Sequence, residues 1–228
     1  MISAANCTYT WVRLLPLAFF IKSSKELKSY LLPSPKIKAL IFDLDGTLAD
    51  TMPLHLESWQ EVGRQFGVPI KDHMINDLAG TPTIEVMKLL NERYGWSADP
   101  IKVYKAKNES YVQLKKIAGK TKPIPEVLAV AEHYKGLMPI AIGTGSSRID
   151  AEEAIKDLGI LSWFEVLITA DEVIQGKPHP ETYLKCARAL NMPPEDCLVY
   201  EDGPMGIVSA LNAKMTAVNI VTGETHSP

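Results

Sequence analysis

Short apolar runs alternate with helical patterns over the second half of the chain. Ile37 to Phe42 forms the first apolar run, and further runs follow after residue 124. Short apolar runs predict buried strands, whereas apolar residues three to four positions apart predict helices. Strands alternating with helices are typical of parallel βαβ units, so the pattern predicts an α/β fold with a parallel sheet. In chain order, the predicted elements are helix 126–134, strand 138–142, helix 147–158, strand 166–169, helix 180–190, strand 197–200, helix 205–212 and strand 216–220.

The stretch from residue 51 to 123 has helical spacing and shows no strand pattern. Its first helix begins near Thr51, where Asp50 or Thr51 can act as the cap and Pro53 suits the first turn. We therefore predict an all-helical insert, a cap domain at 52–123, that interrupts an α/β core. The predicted insert helices are 51–66, 74–78, 83–94 and 100–117, and the core consists of 37–51 and 124–228.

Charged positions on the last insert helix allow two interpretations. Lysines facing a pocket would contact an anionic ligand, whereas lysines on the outer face of a helix are simply solvated. We expect a solvated face for Lys105, Lys107, Lys115 and Lys116.

The N-terminal region ends at a predicted boundary, Pro33-Ser34-Pro35. We expect residues 1–36 to be a poorly packed extension. This region is basic and poor in acids, which also fits an organelle-targeting segment. Organelle targeting therefore stays open as a minor alternative to a cytoplasmic location.

Composition excludes several classes of function. The formal net charge of -3 argues against a general nucleic-acid-binding role, because phosphate backbones recruit basic surfaces. No apolar run reaches the roughly 18 residues needed to span a bilayer, so we expect no membrane association. Cys7, Cys186 and Cys197 form no close pair, which predicts inert thiols in a reducing compartment rather than a disulfide framework or zinc site.

The most informative motif is Asp43-Leu44-Asp45-Gly46-Thr47, which directly follows the apolar run Ala39 to Phe42. Two carboxylates at the end of a buried strand repel each other, so they are costly to hold together unless a cation lies between them. The motif therefore indicates a metal-assisted site for phosphoryl transfer.

Polar loops follow three other predicted strands. In parallel sheets, ligands bind at the carboxyl ends of the strands, so these loops and the Asp43 loop are expected to converge on one site. The three loops are Gly143 to Ser147, Gly176-Lys177-Pro178 and Glu201-Asp202-Gly203.

Together these motifs resemble the haloacid dehalogenase superfamily. The resemblance covers about residues 37 to 225 and is closest to the subfamily with a helical cap, which includes β-phosphoglucomutase and sugar phosphatases. It implies a Rossmann-like parallel-sheet core. The stretch Ile142 to Ser146 is similar to the second motif of fructose-1-phosphatase-type enzymes. The four family motifs correspond to Asp43 to Thr47, Thr144, Lys177 and Glu201-Asp202.

The resemblance also implies a metal-dependent mechanism. Asp43 would attack phosphorus and form an aspartyl-phosphate. Mg²⁺ would lie between Asp43 and the phosphate, with Asp202 as the second carboxylate and the main-chain carbonyl of Asp45 as a further ligand. Glu201 would share the metal or lie one layer behind it.

Other site residues follow from the same resemblance. Asp45 would protonate the departing sugar oxygen and then activate water. Lys177 would pair with the phosphate and Asp43, while Thr144 would hold phosphate oxygens together with the neighbouring main chain. Expected substrate contacts also include Gly145, Ser146, His55 and, in the cap loop 78–84, Thr81.

Two positions distinguish a phosphatase from a mutase. The β-phosphoglucomutase group has an arginine where this chain has Thr83, and a lysine where it has Ser147. Both differences remove positive charge that would hold a second phosphate. The sequence thus predicts a magnesium-dependent phosphatase of small sugar phosphates, with a monomer favoured. A phosphosugar mutase and a non-enzymatic phosphosugar-binding protein are the alternatives.

Overall fold

A computed structural model describes residues 27–228 and contains a six-stranded sheet. The strand order is β3-β2-β1-β4-β5-β6, and all pairs are parallel except β5 with β6. The strands are β1 (Ala39–Phe42), β2 (Ile140–Gly143), β3 (Val166–Ile168), β4 (Cys197–Glu201), β5 (Thr216–Asn219) and β6 (Thr225–His226).

Helices cover both faces of this sheet. Leu40 and Phe42 of β1 pack on one face against the two helices that flank β2 in the sequence, whereas Ala39 and Ile41 pack on the other face against the two helices that flank β4. This alternation is the period of two that a strand imposes on its side chains. The three-layer arrangement confirms the predicted α/β fold class. The core helices are α5 (Pro125–Tyr134), α6 (Arg148–Leu158), α7 (Glu181–Ala189) and α8 (Pro204–Asn212).

Four helices between β1 and α5 have a hydrophobic core of their own. Trp59, Val62, Met87 and Leu90 belong to a buried cluster that is separate from the two clusters on the sheet. This separate core supports the cap domain at 52–123, whose boundaries stay a prediction. The four helices are α1 (Met52–Phe66), α2 (Asp72–Asn76), α3 (Thr83–Tyr94) and α4 (Pro100–Ala118).

Two local features differ from the sequence prediction. Thr51 precedes α1, but its hydroxyl makes no capping hydrogen bond and instead donates to Asp45 Oδ1 at 2.7 Å. Sequence analysis also omitted β6, because two residues, Thr225 and His226, are too few to show a strand pattern.

Residues 27–36 pack more closely than we predicted for the N-terminal extension. Leu31 is 1% exposed and joins the hydrophobic cluster of the sheet, and its carbonyl accepts a 2.6 Å hydrogen bond from Tyr200. One apolar side chain and one buried hydrogen bond thus fix this segment on the core. The targeting alternative and Cys7 concern residues outside the described part of the chain.

The helices and the cysteines within residues 27–228 bear on two of the predictions from composition. Within this range, no helix combines the length and apolar character needed to cross a bilayer. Cys186 and Cys197 are both buried free thiols. Burial raises the pKa of Cys197 to about 12 and that of Cys186 further still, so both are uncharged at neutral pH.

Leu31 gives a direct test of how the N-terminal segment packs. Leu31→Ala should lower the free energy of unfolding by about 2–5 kcal/mol, because it leaves a cavity in the sheet core. Urea denaturation measures this change. The matched control is Leu32→Ala at a position that is 44% exposed and should change the stability little. Equal, small effects of both variants would contradict the packing described.

Candidate active site

Three neighbouring strands bring the predicted site residues to one edge of the sheet. Asp43 directly follows β1, Thr144 follows β2, and Glu201 ends β4, with β1 lying between the other two. Lys177 comes from the segment between β3 and α7 and reaches the same edge. The structure therefore brings the four motif loops together as the sequence predicted, while the roles of their residues stay predictions.

A buried ion network forms the base of the site. The ammonium of Lys177 lies 2.6 Å from Asp43 Oδ1 and 2.6 Å from Glu201 Oε1. The side chain of Lys177 has no exposed surface. Asp202, which accepts a hydrogen bond from Thr47 at 3.3 Å, adds a third carboxylate. One lysine thus faces three acidic groups.

Two glycines make room for these carboxylates. Gly46 has φ +82°, and a Cβ at this position would lie 2.2 Å from Asp202 Oδ2. A Cβ at Gly206 would lie 1.7 Å from Glu201 Oε1. Side chains at either position would displace the acids. Gly46 is therefore favoured both by its positive φ and by the space that it leaves for Asp202.

Electrostatics in this network favour an additional cation. Burial raises the pKa of Asp43 well above its ordinary range, and Lys177 offsets this only in part. Burial and the charge of Glu201 raise the pKa of Asp202 to about 7. Burial lowers the pKa of Lys177, but Asp43 and Glu201 outweigh it, so the lysine stays charged. The raised pKa values of Asp43 and Asp202 favour the uncharged acids, and a bound cation would favour their ionised forms.

The carboxylates also have the geometry of a metal site. One oxygen from each of Asp43, Glu201 and Asp202 lies within 4.8 Å of the others. Hard divalent cations such as Mg²⁺ prefer carboxylate oxygens. The donor set therefore fits a hard divalent metal ion.

Asp45 lies in a different environment from Asp43. Its carboxylate accepts hydrogen bonds from Ser146 at 2.5 Å, Thr51 at 2.7 Å and Thr144 at 3.3 Å, and His55 Nε2 lies 3.4 Å away. Burial raises the pKa of Asp45, but His55 and the two closest hydroxyls outweigh it and hold the pKa below its usual range. The side chain of Asp45 is thus held by hydrogen bonds on the cavity side and is not part of the three-carboxylate group.

The burial of Lys107 and Lys115 shows that the prediction of a solvated lysine face on α4 was wrong for these two residues. Lys107 is 6% exposed and its ammonium lies 2.9 Å from His55 Nδ1; Lys115 is 7% exposed and pairs with Glu153 at 3.2 Å. Lys105 and Lys116 are exposed, as predicted. Both buried lysines continue the four-residue spacing from the buried Val103, a pattern in the sequence that would have identified them.

A chain of contacts therefore runs from the cap to Asp45. Lys107 contacts His55, His55 contacts Asp45, and Tyr111 stacks on the His55 ring with 4.5 Å between centroids. Burial, followed by the charge of Lys107, lowers the pKa of His55. Burial also lowers the pKa of Lys107 to about 8.

A cavity of about 570 Å³ lies between the insert helices and the carboxyl ends of the strands. Thr81 contributes a buried hydroxyl oxygen that has no hydrogen-bond partner within residues 27–228. Lys177, Glu201 and Asp202 lie outside the lining. Lys177 contacts Asp43, and an oxygen of each of the two acids lies within 4.8 Å of an Asp43 oxygen. The predicted site residues that line the cavity are Asp43, Asp45, His55, Thr81, Thr144, Gly145 and Ser146.

The cap loop containing Thr81 lies directly on the core loops. A Cβ at Gly145 would lie 2.8 Å from the carbonyl oxygen of Gly80, and one at Gly203 would lie 2.9 Å from the Cβ of Ala79. Small residues on the core side therefore allow the cap loop to approach the site closely.

The chain belongs to the haloacid dehalogenase-like hydrolases, whose family model matches residues 37–214. Fructose-1-phosphate phosphatase YqaB of Escherichia coli is 34% identical over 181 residues, which cover 79% of this chain and 95% of that protein. β-Phosphoglucomutase of Bacillus subtilis is 28% identical and covers 82% of this chain and 85% of its own length. Relatives named as phosphatases and the family match together make this chain a phosphoric monoester hydrolase.

Solved structures agree with this membership. The crystal structure of a hydrolase from Pseudomonas syringae superimposes with a TM-score of 0.73 at 25% identity, covering 82% of this chain and 85% of that one. The sheet is therefore the Rossmann-like core of this superfamily, as the resemblance implied.

The contact between Lys107 and His55 predicts a measurable pKa change. Lys107→Met removes a positive charge that lowers the pKa of His55, so the pKa of His55 should rise. An NMR titration of the imidazole protons measures it. Lys105→Met, at an exposed position on the same helix, is the matched control and should leave His55 unchanged. The same His55 pKa in wild type and Lys107→Met would refute the contact.

Proposed function

We propose that this protein is a magnesium-dependent phosphatase that hydrolyses small sugar phosphates, in the manner of a fructose-1-phosphatase. The observation that carries the proposal is the contrast between Asp43 and Asp45. Asp43 belongs to the three-carboxylate group and contacts Lys177, whereas Asp45 is held by hydroxyl donors and His55. Two neighbouring carboxylates in different environments are suited to different chemical roles.

The proposed metal ligands are the side chains of Asp43 and Asp202 and the main-chain carbonyl of Asp45. Glu201 is better suited to supporting Lys177, because its Oε1 already accepts hydrogen bonds from Lys177 and Tyr183. When bound, Mg²⁺ would offset the repulsion between an attacking carboxylate and a phosphate dianion.

In the first step, a carboxylate oxygen of Asp43 forms a bond to phosphorus while the bond from phosphorus to the sugar oxygen breaks. The sugar oxygen then takes a proton from Asp45. Hydrogen bonds keep Asp45 ionised in the free protein, but a phosphate dianion nearby would raise its pKa, which favours the protonated acid.

In the second step, Asp45 accepts a proton from water, whose oxygen attacks the phosphorus of the aspartyl-phosphate. The bond between Asp43 and phosphorus breaks and inorganic phosphate leaves. Thr51 and Ser146 hold the Asp45 carboxylate toward the cavity, which supports its role as the base.

The polar residues that line the cavity favour a substrate with several hydroxyls and one phosphate. The Thr81 hydroxyl has no hydrogen-bond partner within residues 27–228 and, with the side chains of Asn108 and Asp150, can form hydrogen bonds with sugar hydroxyls. A fructose-1-phosphate phosphatase and a phosphorylated carbohydrates phosphatase among the relatives point to the same substrate class.

Charge in the cavity favours hydrolysis over mutase activity. Among the lining residues within 27–228, Lys107 is the one lysine or arginine, and it already contacts His55. Thr83 and Ser147, which stand where the mutase group has basic residues, also line the cavity. A second phosphate would therefore find little positive charge. A monomeric state and a cytoplasmic location stay predictions.

Phosphate release tests this function. Purified protein should release phosphate from members of a sugar monophosphate panel in the presence of Mg²⁺, and EDTA should abolish the release. Asp43→Asn should lower kcat by about 1,000-fold or more, because it removes the nucleophile. Asp50→Asn, at an exposed position before α1, is the matched control and should keep wild-type activity.

Other products would identify the alternatives. Isomerised sugar phosphates in place of free phosphate would show a mutase. Binding of sugar phosphates without turnover would show a binding protein. Wild-type turnover in Asp43→Asn would exclude the proposed nucleophile.

A further inference from the structure

Tyr183 of α7 is a wholly buried tyrosine whose hydroxyl points at the ion network. It is 0% exposed and donates a 2.5 Å hydrogen bond to Glu201 Oε1. Neither the four motifs nor the substrate cavity includes it. A buried phenol bonded to a carboxylate of the site requires an explanation beyond packing.

Glu201 is fixed by three donors. Its Oε1 accepts hydrogen bonds from Tyr183 and Lys177, and its Oε2 accepts one from the main-chain N–H of Gly203 at 3.1 Å. With both oxygens engaged, rotation of the carboxylate would break at least one of these bonds. Tyr183 is thus one of the donors that fix the orientation in which Glu201 meets Lys177.

Lys177 is in turn confined from several directions. Its ammonium contacts Asp43 and Glu201, and it lies 4.7 Å from the centroid of the Tyr183 ring. The ring itself is closely packed, because a Cβ at Gly143 would lie 3.2 Å from it. The Tyr183 ring therefore limits movement of the lysine on one side, and the hydroxyl limits movement of its partner Glu201.

We propose that Tyr183 is a positioning residue that acts through Glu201 to hold the Lys177 ammonium against Asp43. This inference rests on the proposed function for its kinetic consequence. Tyr183 does not line the substrate cavity, so its loss should affect the reaction more than substrate binding.

Kinetics of two phenylalanine variants test the proposal. Tyr183→Phe keeps the ring and removes the hydroxyl; kcat should fall about tenfold while KM stays within about twofold, since small misplacements of reacting groups are costly. Tyr200→Phe is the matched control, because it removes an equally buried hydroxyl that bonds to Leu31 instead. It should lower stability without changing kcat.

A double-mutant comparison asks whether Tyr183 acts through Glu201. In a Glu201→Gln background, the further change Tyr183→Phe should lower kcat by less than about twofold, because the acceptor is already altered. The same tenfold loss in that background would contradict the inference. So would equal kcat values for Tyr183→Phe and Tyr200→Phe.

Crystal structures of the wild type and Tyr183→Phe provide a readout that does not depend on turnover. The distance from Lys177 to Asp43, 2.6 Å in the wild type, should lengthen in the variant. An unchanged distance, or loss of folding in Tyr183→Phe alone, would overturn the inference. If the distance lengthens in Tyr183→Phe but the wild-type protein hydrolyses no sugar phosphate, the proposed function is refuted and the positioning role stays supported.

Discussion

The crowding of three carboxyl groups around Lys177 constrains the rest of the site. Asp43, Glu201 and Asp202 approach one another within 4.8 Å, and Lys177 contacts two of them. Buried carboxylates remain ionised only with enough opposite charge or hydrogen bonds nearby. The donors that hold Glu201 provide part of this stabilisation, and Gly46 and Gly206 leave the space that the acids occupy. A divalent cation would supply the remaining charge.

The cap and the core meet at the second aspartate of the motif. Thr51 and His55 lie at the start of α1, and both contact Asp45, while Lys107 of α4 contacts His55. Ser146 from the core contacts the same carboxylate. The state of Asp45 therefore depends on both parts of the chain. Because the cap supplies His55 and Lys107, its position affects the acid–base chemistry as well as access to the cavity.

The sequence predicted the parts of the site that follow from strand ends. Asp43, Thr144 and Glu201 follow or end buried apolar runs, and parallel strands bring such positions to one edge of the sheet. Burial of Lys107 was missed, because a lysine on a charged helix is usually solvated and its partner His55 is remote in sequence. The role of the Thr51 hydroxyl was also missed, because a threonine before a helix is equally compatible with a helix cap and with a contact to Asp45.

The proposed reaction depends on one divalent ion bound by Asp43 and Asp202. Crystals grown with Mn²⁺ in place of Mg²⁺ would locate the ion by its anomalous scattering. We expect a single strong peak coordinated by the carboxylates of Asp43 and Asp202, with Glu201 still bonded to Lys177. If crystals saturated with Mn²⁺ show no peak at this position, or show a peak only at another position, binding of the ion by Asp43 and Asp202 is contradicted.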